Sequence, residues 1–360
     1  MSPMRLRARL RNSRCKVLKS DRVRLALVGA GAIGTTHLEA AKTSDCLDIV
    51  AVCDERPAAA ADFEARFGAR AYSSVPSLIA TEELDGIIVA TPPNTHRLIA
   101  EFAASRGLHV LCEKPLALDA TSARAMFSCA YDNGVILSMA SKFRFVEDIR
   151  TARQLATEGQ LGDILLVENA FTSCLDMGSR WNSNPEISGG GVIVDNGTHA
   201  LDMFRYLLGP VYEVRAQENR RYQNLAVEDT ATITVRTRSG ALATSDLSWS
   251  IDKALGHFLR IHGSKATLEI GWSQSRMRLK SERDWHVIGE GYKKLDSFSK
   301  LQRNFAQAIR GLEPVEVSPA DAIASVEAVE SAYASLACDS WVAVRSSPRR
   351  LGVRRAAVAR

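Results

Sequence analysis

Residues 23–42, VRLALVGAGAIGTTHLEAAK, carry the strongest folding signal in this chain of 360 residues. The first six residues are a short apolar run, which predicts a buried parallel strand. The run leads into a G-x-G-x-x-G turn, in which the first glycine permits the tight bend. The second lets the backbone approach a pyrophosphate, and the third lets the following helix pack closely on the strand. The turn therefore predicts dinucleotide binding by Gly29, Gly31, Ala32, Ile33 and Gly34.

A second apolar run, DIVAVCD, ends in Asp54, 25 residues after Gly29. A carboxylate at this place can accept the hydroxyl groups of an adenosine ribose, which favours NAD as the cofactor. Arg56 lies two residues further on, and a guanidinium group can meet a 2′-phosphate. NADP therefore stays open as an alternative.

Helical and strand patterns alternate through the rest of the first half. Predicted helices end at Gly68, Gly107 and Gly134, and Asp119 is placed to cap the last of them. Predicted strands lie in LDGIIVATPPNTH (84–96), LHVLCEKPLALD (108–119) and VILSMASKFRF (135–145). This alternation predicts a doubly wound parallel sheet of the Rossmann type. Its ligands bind beyond the carboxyl ends of the strands, where residues 91–96 and 113–115 fall.

The second half begins with a predicted helix and then turns to β patterns. Short strands are predicted in ILLVENAF, YEVRAQENR, DTATITVRT, ALATSDLSWS, HFLRIHGS and ATLEIGW, and a final helix over 319–337. Consecutive strands of this kind predict a mostly antiparallel open sheet. The expected α/β architecture is a Rossmann domain over 22–143 and a C-terminal α+β substrate and oligomerisation domain over 144–344.

The net charge of +5 belongs to the ends of the chain. Residues 1–21 hold seven Lys or Arg and one acidic residue, and residues 345–360 hold six arginines and no acid. We expect both segments to be disordered basic tails rather than nucleic-acid or membrane contacts. No run approaches the roughly 18 apolar residues of a membrane span. The seven cysteines show no metal-ligand or disulfide spacing, which favours a cytoplasmic protein with reduced thiols.

The segment VDNGTHALD, residues 194–202, follows the glycine run 189–191 and spaces Asp195 and His199 four residues apart. On a helix this spacing puts both side chains on one face, within reach of a shared partner. A structural histidine, a metal site and a proton-relay pair all fit the spacing. A metal site needs three or four converging ligands. No neighbouring His or Cys completes such a set, so we expect no metal ion.

The sequences GAGAIG, ATPPNTH, CEKPLAL and VDNGTHALD, in this order and spacing, resemble the Gfo/Idh/MocA family of NAD(P)-dependent oxidoreductases. The resemblance runs from residue 23 to residue 341. It implies hydride transfer between a nicotinamide cofactor and a hydroxyl or keto carbon of a sugar, an inositol-like polyol or a glycoside. It also implies a homodimer or homotetramer formed through the open sheet, and a cis bond before Pro115. The further cofactor contacts that it implies are Thr91, Pro92, Asn94, His96, Glu113 and Lys114.

Oxidation of a secondary alcohol requires a group that takes the hydroxyl proton, and a histidine is suited to this near neutral pH. We predict His199 as the acid/base, Asp195 as the carboxylate that orients it, and Lys114, beside the reacting oxygen in the family, as the stabiliser of the alkoxide. We expect Asp202 to be structural.

Two substrate contacts are predicted besides Lys114, Asp195 and His199. The sequence KFRF resembles the family's N-x-R-F pattern with Lys142 in place of the commoner asparagine, so only Arg144 is carried over. Trp181, with Asn182 and Asn184, can present a flat face and amide groups to a sugar ring, although a tryptophan in a loop can equally fill a core. Two other functions stay open: an NAD-dependent glycoside hydrolase that works by transient oxidation and elimination, and a non-catalytic NAD-binding sensor.

Overall fold

The structure is a computed structural model that describes residues 22–345. The tails predicted over 1–21 and 345–360 lie outside the described residues, apart from Arg345. The described residues form two sheets, which follow one another along the chain. No helix within these residues is both long and apolar enough to cross a membrane.

The first sheet is parallel and has six strands in the order β3-β2-β1-β4-β5-β6. The strands are β1 (Val23–Val28), β2 (Leu47–Cys53), β3 (Arg70–Tyr72), β4 (Gly86–Val89), β5 (His109–Cys112) and β6 (Leu137–Met139). This is the strand order of a dinucleotide-binding sheet, and the Rossmann prediction is confirmed. The order reverses between β1 and β4, so the binding crevice opens beyond the carboxyl ends of these two strands.

Five helices connect these strands: α1 (Ala32–Ala41), α2 (Pro57–Phe67), α3 (Val75–Thr81), α4 (His96–Ala104) and α5 (Ala120–Asp132). Gly68 ends α2 in the left-handed conformation with φ 73°. The Asp119 carboxylate caps α5 by accepting the backbone N–H of Ser122. The sequence analysis did not find β3 and α3, because a strand of three residues and a helix of seven are too short to show a period.

The second sheet has nine strands in the order β14-β13-β12-β11-β7-β10-β9-β8-β15. The strands are β7 (Ile164–Thr172), β8 (Val211–Glu218), β9 (Thr230–Thr237), β10 (Leu242–Ser248), β11 (His257–Gly263), β12 (Ala266–Gly271), β13 (Ser275–Leu279), β14 (His286–Gly289) and β15 (Val342–Ala343). Only the β7–β10 pair is parallel among the pairs of this sheet in the described residues. The predicted mostly antiparallel sheet is confirmed, with β13, β14 and β15 added to it.

The helices of the second half are α6 (Glu147–Thr157), α7 (Pro185–Ser188), α8 (Thr198–Leu208), α9 (Lys294–Ile309) and α10 (Pro319–Cys338). Phe298, Leu301 and Phe305 of α9 belong to the same core cluster as the apolar residues of β1 and α1. Val326 of α10 packs into the cluster on the other face of the first sheet. The C-terminal helices therefore complete the first sheet, and the division at residues 143 and 144 stays a proposal.

Candidate active site

The glycine turn leaves room for a ligand at the start of α1. Gly29 has φ +109°, and a Cβ there would lie 2.5 Å from the carbonyl oxygen of Ala90. A Cβ on Gly34 would lie 2.2 Å from the Gly29 carbonyl oxygen, whereas a Cβ on Gly31 would stand in open space. Gly31 is the N-cap of α1 and offers no side-chain acceptor, so the first N–H groups of the helix can bind an anion. These residues fit the pyrophosphate of a dinucleotide.

Asp54 lies beside this turn at the end of β2. Its Oδ2 accepts the backbone N–H of Ala30 at 2.8 Å, and its Oδ1 accepts the Nε of Arg56 at 3.0 Å. Burial opposes ionisation of Asp54, but the hydrogen bonds from Arg56 and the backbone outweigh it and lower the pKa of the carboxyl group. Asp54 is therefore an anion at neutral pH, and the Arg56 guanidinium is paired with it.

Replacing Asp54 with asparagine should raise the KM for NAD by about 10- to 100-fold, because a charge-assisted hydrogen bond is lost. The amide oxygen of asparagine can still accept the Ala30 N–H, so the turn itself should persist. Steady-state kinetics with NAD and NADP will measure the change, and Glu55→Gln, one residue away and exposed, is the matched control. An unchanged ratio of the two cofactors in Asp54→Asn would show that Asp54 does not select NAD.

Lys114 joins the two halves of the molecule. It follows β5, and the Lys114–Pro115 peptide bond is cis. The Nζ of Lys114 donates to Oδ1 of Asp195 at 2.6 Å and to the carbonyl oxygen of Asp195 at 2.9 Å. The two side chains are 16% and 28% exposed, so the pair lies in a cleft that solutes can reach.

Asp195 faces Lys114 rather than His199. Its Oδ2 accepts the indole N–H of Trp249 at 3.3 Å, and within residues 22–345 no hydrogen bond joins it to His199. Residues Ile193–Gly197 wind as a π-helical turn, and α8 begins only at Thr198. The wider turn rotates Asp195 away from the face expected of an α-helix. Burial opposes its ionisation, but Lys114 and Trp249 outweigh this and lower the pKa of Asp195.

The glycine run before Asp195 is shaped by a buried carboxylate. Glu228 accepts the backbone N–H groups of Gly191 and Ile193, each at 3.0 Å, and the hydroxyl of Tyr333 at 2.7 Å. A Cβ on Gly191 would lie 2.0 Å from the carbonyl oxygen of Glu228. The run therefore needs glycine for close backbone approach, and Glu228 fixes the start of the π-helical turn.

His199 lies among aromatic rings on α8 and is 8% exposed. Its ring packs edge-on against Phe143, with the centroids 5.0 Å apart, and lies 6.4 Å from Phe171. Burial, and then the positive charges of Lys114 and Lys142, lower the pKa of His199 well below its ordinary value. The imidazole is therefore neutral at neutral pH.

An aromatic wall extends from His199 across the second sheet. It consists of Phe143, Phe171, Phe258, Trp272 and Tyr292. Trp272 is 42% exposed, which leaves part of its indole face open to a ligand. Trp272 and Tyr292 could not be predicted from the sequence, because they lie on separate loops that only the fold brings together.

The predicted Trp181 lies elsewhere, on the short turn Trp181–Ser183. It is 43% exposed and, among the described residues, makes no ring contact with the aromatic wall. Its role toward a sugar therefore stays a prediction, as do those of Asn182 and Asn184.

His96, a predicted cofactor contact, lies at the start of α4 next to the turn of Lys114. The His96 ring is fully buried, with Nδ1 3.0 Å from the carbonyl oxygen of Pro115 and Nε2 2.8 Å from that of Thr91. Burial lowers the pKa of His96, so the ring is neutral and one of its nitrogens donates. His96 thus lies between the carbonyl group of Thr91 and the turn of Lys114, whereas Asn94 in the same segment is exposed.

Glu113 is fixed by residues that the sequence analysis did not single out. Its Oε1 lies 2.9 Å from Nε2 of His37 on α1, and its Oε2 accepts the backbone N–H of Lys114. The Nδ1 of His37 in turn accepts from the amide of Gln302 on α9. Because Nδ1 is the acceptor, Nε2 carries the hydrogen that it donates to Glu113.

The guanidinium group of Arg144 is paired with two carboxylates, those of Asp202 and Asp321. It is 3% exposed, its Nε and Nη2 donate to Asp202 at 2.9 and 2.6 Å, and its Nη1 donates to Asp321 at 3.2 Å. This geometry favours a structural ion pair for Arg144 and Asp202. The predicted contact between Arg144 and the substrate stays untested.

Replacing Asp202 with alanine should lower the free energy of unfolding by about 3–5 kcal/mol, because it leaves the buried Arg144 charge without its main partner. Denaturant unfolding followed by circular dichroism will measure this. Asp45→Ala, which removes the exposed partner of Arg303, should lower the free energy of unfolding far less, because water screens an exposed ion pair. Equal losses in the two variants would contradict a structural role for the buried pair.

Within the described part of the chain, no group of three or more His, Cys, Asp or Glu lies close enough to hold a metal ion. The strand order, the glycine turn and the ionised Asp54 together define a dinucleotide-binding domain. Residues 23–141 match an oxidoreductase family with an NAD-binding Rossmann fold, GFO_IDH_MocA, and residues 149–269 match the GFO/IDH/MocA C-terminal domain. The chain belongs to the Gfo/Idh/MocA family, as its sequence predicted. It is an NAD(P)-dependent dehydrogenase within a family of sugar and polyol dehydrogenases.

Similar proteins and a similar solved structure support this assignment. The chain is 30% identical to the rhizopine catabolism protein MocA of Rhizobium meliloti over 88% of this chain and 96% of that protein. It is 31% identical to a D-apiose dehydrogenase of Paraburkholderia graminis over 68% of this chain and 66% of that protein. A levoglucosan dehydrogenase solved with NADH and levoglucosan has the same fold, with a TM-score of 0.83, 22% identity and coverage of 90% and 100% of the two chains.

Proposed function

We propose that this enzyme oxidises a hydroxyl group of a sugar, polyol or glycoside with NAD, or reduces the corresponding ketone, at a site formed by Lys114, Asp195 and His199. The observation that carries the proposal is the 2.6 Å contact between Lys114 and Asp195. It joins a turn at the carboxyl edge of the nucleotide-binding sheet to the π-helical turn that precedes α8. A substrate in this cleft would lie between the two halves, where dinucleotide-binding folds hold their ligands.

Lys114 would stabilise charge on the reacting oxygen. An ammonium group has three N–H donors, and Asp195 accepts at two positions, so one donor is left for the substrate. When bound, NAD supplies the acceptor for the two electrons and the hydrogen that leave the carbinol carbon as a hydride. Lys114 would hold the developing alkoxide at the same moment, and this electrostatic contribution is often the largest one in such reactions.

His199 would take the hydroxyl proton, which turns the alcohol into a ketone as the hydride leaves. Its neutral imidazole is the correct form for this, since burial keeps the pKa low. The imidazolium that results would lie near two lysines, so it would release its proton readily to solvent or to a second group. In the reverse direction the same ring would be a strong acid.

Asp195 would act chiefly on Lys114. It holds the ammonium in place with one carboxylate oxygen and with its backbone carbonyl, while the indole of Trp249 binds the other oxygen. A proton relay that includes both Asp195 and His199 is part of the proposal, with the substrate or a water molecule between them.

The names of relatives support a carbohydrate substrate. Two of them are dehydrogenases of D-apiose and of levoglucosan, which offer hydroxyl groups on compact rings. The partly open Trp272 face would suit such a ring, because the apolar face of a sugar packs on an indole.

We further propose a homodimer or homotetramer formed through the second sheet, and a cytoplasmic location. The six cysteines of the described residues are all free thiols, which is typical of a reducing compartment. Light scattering coupled to size exclusion will measure the oligomeric state, and a monomer at micromolar concentration would contradict that part of the proposal.

The test of the proposed function is NADH formation by the purified full-length chain with NAD or NADP. The panel contains inositols, hexoses, pentoses, sugar acids and glycosides. A rise in absorbance that depends on the substrate would support the dehydrogenase. Release of an aglycone without net NADH would support the NAD-dependent glycoside hydrolase instead. Neither product, despite NAD binding, would overturn the proposal.

A further inference from the structure

Lys142 places a second ammonium group at the border of the candidate site. It begins the short turn Lys142–Phe145 after β6. Its Nζ lies over three aromatic rings, 5.2 Å from the centroid of Phe143, 5.6 Å from that of Tyr292 and 5.8 Å from that of Phe298. Phe143 is also the ring that packs against His199. The ammonium therefore reaches the edge of the cleft that contains His199.

The Lys142 ammonium group differs from the other charged groups near the site, Lys114 and Glu113, because it lacks an ionic partner among the described residues. Lys114 is paired with Asp195, and Glu113 is hydrogen-bonded to His37. The Nζ of Lys142, in contrast, forms neither a salt bridge nor a hydrogen bond with any residue from 22 to 345, and its contacts there are with aromatic rings. Contacts with aromatic rings replace only part of the hydration that an ammonium group loses on burial. The site therefore has a cation that an anionic ligand would stabilise.

The electrostatic surroundings of Lys142 agree with this geometry. Burial and the ammonium of Lys114 lower the pKa of Lys142 to about 8, while Glu113 and Asp195 act in the opposite direction. At neutral pH the group is still mostly protonated. The same charge lowers the pKa of His199 and of Asp195, so the three groups share one electrostatic environment.

We propose that Lys142 binds a carboxylate of the substrate, so that the preferred substrate is a sugar acid or a related polyhydroxy acid. This inference rests on the proposed function and specifies its substrate. Lys114 would bind the oxygen that is oxidised, and Lys142 would bind the carboxylate of the same molecule. The aromatic wall between them would pack on the apolar face of the substrate.

A carboxylate fits this site better than a phosphate. Phosphate groups are usually bound by several donors at once, such as an arginine fork or the N–H groups at the start of a helix. The nearest arginine in sequence, Arg144, is committed to Asp202 and Asp321. A single ammonium group with one unpaired charge matches a single negative charge.

The test is a binding titration of the NADH-loaded enzyme with pairs of probes that differ in one carboxylate. The pairs are D-glucuronate and D-glucose, D-galacturonate and D-galactose, and D-gluconate and D-glucitol, with D-glucose 6-phosphate as the phosphate probe. Titrations compare the natural chain with Lys142→Met, which removes the charge and keeps the apolar stem. The matched control is Lys294→Met, an exposed lysine on α9 whose charge also acts on Lys142.

We expect at least one acid to bind about tenfold or more tightly than its neutral partner, as a charge-assisted contact would give. Lys142→Met should abolish that preference by weakening the binding of the acid far more than the binding of its neutral partner, whereas Lys294→Met should keep the preference. Equal binding of acids and neutral probes, a preference that survives in Lys142→Met, or tighter binding of the phosphate probe would each overturn the inference.

A second measurement does not depend on a variant. In the natural chain, a limiting amount of an acylating reagent should modify Lys142, and the bound acid, but not its neutral partner, should protect it, as followed by peptide mass spectrometry. Modification unaffected by any acid would count against the inference. If the enzyme oxidises neutral sugars and Lys142 has no effect on this activity, only the inference about the carboxylate is overturned. If the enzyme binds the acids but forms no NADH with any compound of the panel, the result counts only against the proposed function.

Discussion

Replacing Lys114 with alanine should lower kcat by about 100- to 1000-fold, the usual loss when one donor to a developing oxyanion is removed. The structure explains the size of the effect. The ammonium is held by two oxygens of Asp195 in a cleft where it is 16% exposed, so its orientation is fixed before the substrate binds. Water that enters the space left by alanine would have to reorient during the reaction.

The affinity for NADH should change by less than about threefold in Lys114→Ala, because the interaction that is lost forms mainly in the transition state. Stopped-flow measurement of the hydride-transfer step and a fluorescence titration with NADH separate the two effects. Lys300→Ala, which removes a surface partner of Glu147, serves as the control and should keep its kcat. A kcat of Lys114→Ala within a few-fold of that of the natural chain would contradict the proposal that Lys114 stabilises the alkoxide.

Replacing His199 with asparagine should lower kcat by about 100- to 10,000-fold, the range typical of a lost general base. Asparagine is smaller than histidine, so it introduces no clash with the surrounding aromatic rings. His262→Asn is the control, because His262 pairs with Glu168 on the second sheet, outside the aromatic wall. A loss of similar size in both variants would point to a structural cause.

The pH profile gives His199 a signature that a structural role would not give. Oxidation needs the neutral imidazole, and its pKa lies well below the ordinary 6.5, so kcat/KM should stay level as the pH falls through 6.5 and decline only at lower pH. Reduction needs the protonated ring, so its rate should rise as the pH falls toward that same low pKa. An acid limb that persists in His199→Asn would belong to another group.

The nucleotide-binding sheet could be predicted because its signals are local. Except for β3, each strand is a short and mostly apolar run, and most helices end at a glycine within a few residues of the expected place. The strand β13 was missed because Arg276 and Arg278 interrupt its apolar pattern, and β14 was missed because its 4 residues are too few to show one. Helix α9 has apolar residues at helical spacing, and they pack against β1 and α1, which lie about 260 residues earlier in the sequence. A local pattern cannot show this packing.

Some residues of the candidate site could likewise be predicted from the sequence, whereas the contacts between them could not. The motifs predicted that Lys114 and Asp195 belong to one site only through the family resemblance, and their contact depends on how two sheets meet. The sequence could not show that Asp195 turns toward Lys114, because a π-helical turn looks like an α-helix in the sequence. Trp249, Trp272 and Tyr292 come from three separate segments, and no spacing connects them to the histidine.

The return of α9 to the first sheet has a consequence for the order of assembly. The ribosome delivers the nucleotide-binding strands first, yet Phe298, Leu301 and Phe305, which complete one of their apolar layers, are made almost 200 residues after β5. The half of the enzyme that is synthesised first therefore stays incomplete until α9 has been made. A nascent chain that ends within the second sheet still exposes apolar surface on the first sheet. We therefore expect chaperones to bind the nascent chain at that stage, because the topology leaves this surface uncovered.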